Sequence, residues 1–427
     1  MTKAFVLFEA MNHMTLVLKE ARARGFRIVL LNHNPVNQTG PYAVTDDEVD
    51  ETVHIEAWED REAVERVLAD VHARYEVVGT YACFEAAMPY EATLREMAGL
   101  PNNGADNVRF VLDKLALRRK LYAEGLSGLR SASLDEALQW ERWPFDGSAI
   151  LKPVNGTGSA LCYTVASTEE LRHIAARLSD TVVINPLMRE YIAARGEFLV
   201  EEKAAGELLS VESLVYHGEV HTIGLQGRYV LVKDPVVEMG VVFPFRHARM
   251  DEIVAKSEAI HRSLSIHHGP THLEMMVPKQ GPIELIDFNI RFTGVDSLIC
   301  FNEAFGIRFE KCLTDLACDI DPDLSFLDGP SKVAANMLLM PPPGTTVLES
   351  LDFPPEAVFS RLTKEIGQQL SGNVNQLDML GLYVVKADTI QELHQKVLAA
   401  QRRAVVNGQP LGDNVNNLVA FNELAAQ

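Results

Sequence analysis

Over the first hundred residues, short apolar runs alternate with segments whose apolar positions recur every three to four residues. Residues 4–10 (AFVLFEA) predict a strand, 14–25 (MTLVLKEARARG) a helix ending at Gly25, and 26–34 (FRIVLLNHN) a second strand. Residues 51–57 (ETVHIEA) and 77–84 (VVGTYACF) predict further strands, with the helical 61–75 (REAVERVLADVHARY) between them. Alternating strands and helices of this length predict a parallel sheet with helices on its faces. A dinucleotide site would need a glycine-rich turn after the first strand, and Met11-Asn12-His13-Met14 supplies none. The expectation is a Rossmann-like unit without the fingerprint.

The pattern changes at Pro101-Asn102-Asn103-Gly104. Residues 105–125 (ADNVRFVLDKLALRRKLYAEG) read as one helix ending at Gly125, and residues near 148–165 as two strands around a glycine-bearing loop. Strand signals recur at 181–187 (TVVINPL) and over 197–224, and 271–292 reads as two strands joined by the turn Pro278-Lys279-Gln280-Gly281-Pro282. Pro341-Pro342-Pro343-Gly344 punctuates the approach to a last α+β unit, with a strand at 382–387 and a helix at 391–408. The chain thus divides into an α/β unit over 1–105, a central unit over 106–310 with a small lobe at about 125–190, and a C-terminal α+β unit over 311–427.

The richest chemistry lies in residues 271–294. Glu274, Asp287 and Asn289 offer hard oxygen ligands, and Arg291 follows two residues after the amide. Magnesium takes few protein oxygens, several waters and phosphate oxygens. In Asp287-x-Asn289-x-Arg291 the strand period of two points all three side chains to one face. Alone, such a series is more often a solvated sheet face. Here Ile283, Leu285, Ile286, Phe288, Ile290 and Phe292 mark a buried strand, where charged groups require partners or a metal.

Bulk properties narrow the classes. At 427 residues, two to four domains are expected; 47% hydrophobic and 23% charged residues describe a globular chain. A net charge of −20 argues against nucleic acid or an anionic membrane surface as partner. Five scattered cysteines without a CxxC pair suit a reducing compartment, and the sequence has neither a signal-peptide cleavage pattern nor an apolar run of membrane-spanning length, so a cytoplasmic protein is expected.

Two upstream segments bear on phosphate chemistry. Lys152 precedes Asn155-Gly156-Thr157-Gly158-Ser159, a loop whose backbone N–H groups could approach phosphate oxygens, although a plain hairpin turn fits it too. No P-loop motif occurs. Residues 189–202 (REYIAARGEFLVEE) place Glu190 and Glu197 around a short linker, where extended backbone could meet an adenine edge and a carboxylate could meet ribose hydroxyls; an ordinary exposed loop is the other reading.

In this order, Lys114, Lys152 with its glycine loop, Glu190-Tyr191-Ile192…Glu197, Glu274 and Asp287-x-Asn289-x-Arg291 resemble the ATP-grasp superfamily at its carboxylate–amine ligase branch. The resemblance covers residues 1–310 by motif and 330–427 by layout, and within the branch the chain resembles L-amino-acid ligases. It implies an ATP-grasp fold in which Lys114 and Lys152 contact ATP phosphates beneath the loop Asn155 to Ser159. Glu190, Tyr191 and Ile192 would bind adenine and Glu197 the ribose. Glu274, Asp287 and Asn289 would hold two magnesium ions, with manganese as the alternative, and Arg291 would steady the transferring phosphoryl group and the acyl intermediate. Asp287 stands where the family more often carries glutamate. Residues 233–245 (KDPVVEMGVVFPF) resemble the large loop of amino-acid ligases, which implies a substrate ammonium site at Glu238; His272 and Gly294 would border the acyl site.

The reaction so implied forms an amide. ATP phosphorylates a carboxylate, an amine attacks the acyl phosphate, and ADP and phosphate leave. An amino acid is the expected amine, within specialised metabolism such as antibiotic biosynthesis, and a homodimer is the family-level expectation. The alternatives are a purine-pathway or biotin-carboxylase-like ligase, or a nucleotide-binding regulatory protein with a dead site.

Overall fold

The computed structural model describes the chain apart from residues 12, 34–43, 46, 157–160, 179–195, 233, 295, 330, 371–378, 413–418 and 422–427. In the N-terminal unit β1 (Thr2–Phe8), α1 (Met14–Ala23), β2 (Arg27–Asn32), β3 (Glu51–His54), α2 (Arg61–Arg74) and β4 (Tyr75–Ala82) follow the alternation read from the sequence. The four strands pair in parallel in the order β3-β2-β1-β4. In β1 and β2 the Val, Leu and Phe side chains are buried on both faces, as parallel sheets require.

Helices α3 (Met88–Met97), α4 (Ala105–Leu112) and α5 (Lys114–Ala123) lead to the centre. The single helix expected over 105–125 is two. Asp113 adopts an extended conformation (φ −83°, ψ 95°), and its carboxylate accepts from the N–H groups of Leu115 and Ala116, capping α5. Lys114 N–H donates instead to the Val154 carbonyl at 3.0 Å, fixing the break against the small lobe.

The small lobe is an antiparallel sheet of β5 (Ser131–Ser133), β6 (Ala149–Pro153), β7 (Tyr163–Val165) and β8 (Phe198–Glu202), in the order β5-β8-β6-β7. Strands β6 and β7 flank the glycine loop, as expected. The strand expected at 181–187 lies outside the described residues.

The large sheet contains β9 (Glu207–Tyr216), β10 (Glu219–Leu231), β11 (Asp234–Phe245), β12 (Gly269–Val277), β13 (Glu284–Asn289), β14 (Val333–Leu339), β16 (Phe359–Leu362) and β17 (Gly381–Ala387), in the order β13-β12-β9-β10-β11-β14-β17-β16. A separate small sheet at the C-terminal end holds β15 (Leu351–Asp352). Residues 234–245, expected as a large loop, form an inner strand. Met239, Val242, Phe243 and Phe245 are buried, and β11 pairs with β10 on one side and β14 on the other. Gly240 permits that packing, because a Cβ there would lie 2.4 Å from the Asn336 carbonyl oxygen.

One face of the large sheet is apolar and is covered by α5, α8 (Met250–Ser263) and α11 (Ile390–Arg403) through Leu117, Ile253, Ile260 and Val397. The opposite face packs Leu214, Ile223 and Phe243 against α9 (Ser297–Phe305) and α10 (Phe309–Ala317). These helices also meet Phe5, Leu7 and α1 of the N-terminal unit, giving one continuous core.

Candidate active site

Strands β12 and β13 run antiparallel with Glu274 opposite Asp287 and His272 opposite Asn289. Directly opposed residues share a face, as do residues two apart along a strand, so these four side chains form one polar patch. A register shift between Glu274 and Met275 ends the regular ladder beside it. The patch stays partly open, with the Glu274 and Asp287 side chains 29% and 19% exposed.

The three ionisable groups are held by charge. The Lys114 ammonium, at the start of α5, donates to Asp287. Burial works to lower the Lys114 pKa, but Asp287 and more distant carboxylates outweigh it and hold the ammonium above its ordinary value. His272 donates through Nδ1 to Glu212 at 2.6 Å and lies 3.4 Å from Glu274 through Nε2. Burial alone would lower its pKa; the two carboxylates raise it to about 9. Burial likewise pushes the Glu274 carboxyl up, and is overcome by the His272 hydrogen bond and by the charges of His272, Arg228 and Lys114, leaving it at about 2. Glu274 is therefore ionised.

The second lysine comes from the small lobe. Lys152, on β6, lies 2.6 Å from Glu201 and donates to the Ile286 carbonyl at 3.3 Å, one residue before Asp287. Arg118 donates to the other Glu201 oxygen at 2.9 Å. Burial would raise the Glu201 carboxyl, yet these two cations hold it below its ordinary value. Asn155 and Gly156 follow directly, Asn155 buried. Thr157, Gly158, Ser159, Glu190, Tyr191 and Ile192 lie outside the described residues. Glu197 is exposed at the entry to β8, and its carbonyl accepts from Val154 N–H at 3.0 Å.

Arg291 follows β13, its Nε and Nη2 both 2.9 Å from Glu85 Oε1. Gly294 sits beside it: a Cβ there would meet only Arg291 Nη1, at 4.0 Å. Glu238, on β11, reaches the patch through Arg228, which is 3.2 Å from Glu238 and 3.7 Å from Glu274. Thus Lys114, Lys152, Glu238, His272, Glu274, Asp287, Asn289, Arg291 and Gly294 gather around one end of the large sheet.

The sequence reading missed Glu85, Arg118, Glu201, Glu212 and Arg228. For Glu201 and Arg228 a signal existed: each is a charge inside an apolar strand, the argument already applied to Asp287. Glu85 follows the C-terminal end of a parallel strand, where open sheets bind ligands.

Two carboxylates and an amide suit a hard divalent ion. Among the described residues no three His, Cys, Asp or Glu side chains form a ready cage. Magnesium takes few protein oxygens and completes its shell with water and phosphate. The donor set therefore fits magnesium.

The sequence matches the family model of the ATP-grasp domain over residues 145–298 and that of the ATP-grasp N-terminal domain over residues 18–102. Together these spans exceed half the chain, and the protein belongs to the ATP-grasp superfamily. The same fold is found in an L-amino acid ligase from Bacillus licheniformis, with a TM-score of 0.73 at 18% identity over 95% of this chain and 98% of that one. Phosphoribosylglycinamide synthetase from Anaerococcus prevotii matches with 0.69 at 15% identity, over 95% and 99%. The biotin carboxylase domain of 2-oxoglutarate carboxylase from Hydrogenobacter thermophilus, solved with MgADP and bicarbonate, matches with 0.66 at 13%, over 94% and 90%. No curated protein sequence matches the chain. Among the described residues no helix is long and apolar enough to cross a membrane.

Proposed function

We propose that the protein is an ATP-dependent carboxylate–amine ligase that forms an amide through an acyl phosphate, with an amino acid as the amine. The observation that carries this reading is the cross-strand pair Glu274–Asp287, with Lys114 on Asp287 and Lys152 and Arg291 flanking it. Phosphoryl transfer asks mainly for positioning and charge neutralisation, and these groups supply both. The L-amino acid ligase fold and the adjoining Glu238 favour an amino acid over other amines.

In this reading Lys152 and Lys114 turn from their carboxylate partners to the ATP phosphates. The loop from Asn155 to Ser159 covers those phosphates, Glu190 to Ile192 face the adenine, and Glu197 faces the ribose. Glu274, Asp287 and Asn289 would hold magnesium, which when bound spreads the charge on the phosphates. The substrate carboxylate oxygen attacks the γ-phosphorus and ADP leaves, with Arg291 stabilising the transferring group. The amine then attacks the acyl carbon near His272 and Gly294; the C–O bond breaks, and phosphate and a proton depart. A cytoplasmic enzyme of specialised metabolism, acting as a homodimer, completes the proposal.

The test is ADP and phosphate release with magnesium and ATP, screened over pairs of carboxylic acids and amino acids, with hydroxylamine as a trapping amine and bicarbonate as a separate arm. The expected result is release that depends on both substrates, with an acyl hydroxamate in the hydroxylamine arm. Silence across all acids would sink the ligase reading, and release with bicarbonate alone would move it to a carboxylase-type reaction.

A further inference from the structure

In the N-terminal sheet the order β3-β2-β1-β4 reverses direction between β1 and β4. Open parallel sheets bind ligands outside their carboxyl ends at such a reversal. Here the loop after β4 instead presents Glu85 to an arginine of the adjoining unit. Arg291 donates from Nε and Nη2 to one Glu85 oxygen, both at 2.9 Å, while Nη1 donates to the Phe292 carbonyl at 3.2 Å. All three guanidinium nitrogens are engaged, and the two side chains are only 11% and 6% exposed. His13 and Cys83, which border the pair, are held neutral: burial and then Arg291 lower the His13 pKa to about 3, and burial pushes the Cys83 thiol up to about 12. Glu85 is thus the carboxylate that answers Arg291 directly, with Asp287 acting on it from farther away. Asp287, on the β12–β13 patch, is the second carboxylate whose charge acts on the guanidinium.

We infer that Glu85 is a positioning residue: it anchors Arg291 from the N-terminal unit, so that the arginine meets the transferring phosphoryl group rather than collapsing onto the metal-binding carboxylates. The inference rests on the ligase reading for what Arg291 does, but not for the grip itself. Misplacing such a group by about 1 Å lowers turnover roughly a hundredfold.

The test pairs two measurements on the full-length protein. In arginine-labelled protein, the Arg291 Nε–H resonance, identified by its loss in Arg291→Lys, should exchange slowly with water and exchange at least about tenfold faster in Glu85→Gln. In the same variant kcat for ADP release should fall about a hundredfold while KM for ATP stays within about twofold. A folded Glu85→Gln with wild-type exchange and wild-type kcat overturns the inference, as does rapid exchange in the wild type. Should Glu85→Gln not fold, Glu85→Asp, which keeps the charge and shortens the reach, carries the same two measurements. If the wild type releases no ADP with any substrate pair, the ligase reading falls, and the exchange comparison alone decides whether Glu85 grips Arg291.

Discussion

Arg118, Glu201 and Lys152 form a buried chain in which one carboxylate answers two cations and the Ile286 carbonyl takes a hydrogen bond from each of them. The small lobe therefore holds the backbone of the strand that carries Asp287. Such partners were beyond reach of the sequence: Glu201 lies 83 residues from Arg118, and Glu85 lies 206 from Arg291. What was legible was the face-sharing of Asp287 and Asn289, because a period of two is local geometry. At this scale Arg291→Ala has two expected effects. Losing a transition-state charge contact should lower kcat a hundred- to a thousandfold, about 3–4 kcal/mol. Leaving Glu85 buried and unpaired should also destabilise the fold by roughly 3–5 kcal/mol, which Arg291→Lys should largely restore. Initial rates and urea midpoints of the two variants separate these effects.

Most strands of the N-terminal and central units were legible because alternation and apolar runs dictate them. Two elements were not. The break at Asp113 hides in a helical pattern, since aspartate is tolerated within helices and only a tertiary bond, Lys114 N–H to Val154, decides that it caps. Strand β11 hides behind Lys233-Asp234-Pro235 and two glycine- or proline-bearing turns of sequence, and becomes a strand because β10 and β14 pair with both its edges. The Asp113 cap should be worth about 1 kcal/mol. Asp113→Ala should therefore speed amide hydrogen exchange at Leu115, Ala116 and Leu117 about fivefold, leaving helix α4 unchanged. Equal exchange in both proteins would show that the tertiary bond alone fixes the break.

Across the whole molecule, three buried histidines set an acid limit. Burial first, then Arg291, holds His13 at about 3. Burial holds His261 and His268 at about 4, against hydrogen bonds to the Ser257 and Leu316 carbonyls that work the other way. Their folded pKa values lie below the unfolded value of 6.5. Between pH 6.5 and 4 the unfolded chain binds protons that the folded chain refuses, so stability falls as the pH drops. Each histidine contributes about 1.4 kcal/mol per pH unit within that window. Urea midpoints at pH 6.5, 5.5 and 4.5 should decline, and His261→Gln should flatten the slope by about one proton. An unchanged slope in that variant would remove His261 from the acid response.

Strand β14 is bonded to β11, and β17 to β14, so the last third of the chain is woven into the sheet that carries Glu274 and Asp287. A chain cut short near position 310 would lose β14, which bonds β11 along its length, and would leave β11 as a bare edge that invites pairing with other chains. The C-terminal third is thus a structural part of the large sheet, and not a cassette that could be exchanged without re-pairing β11.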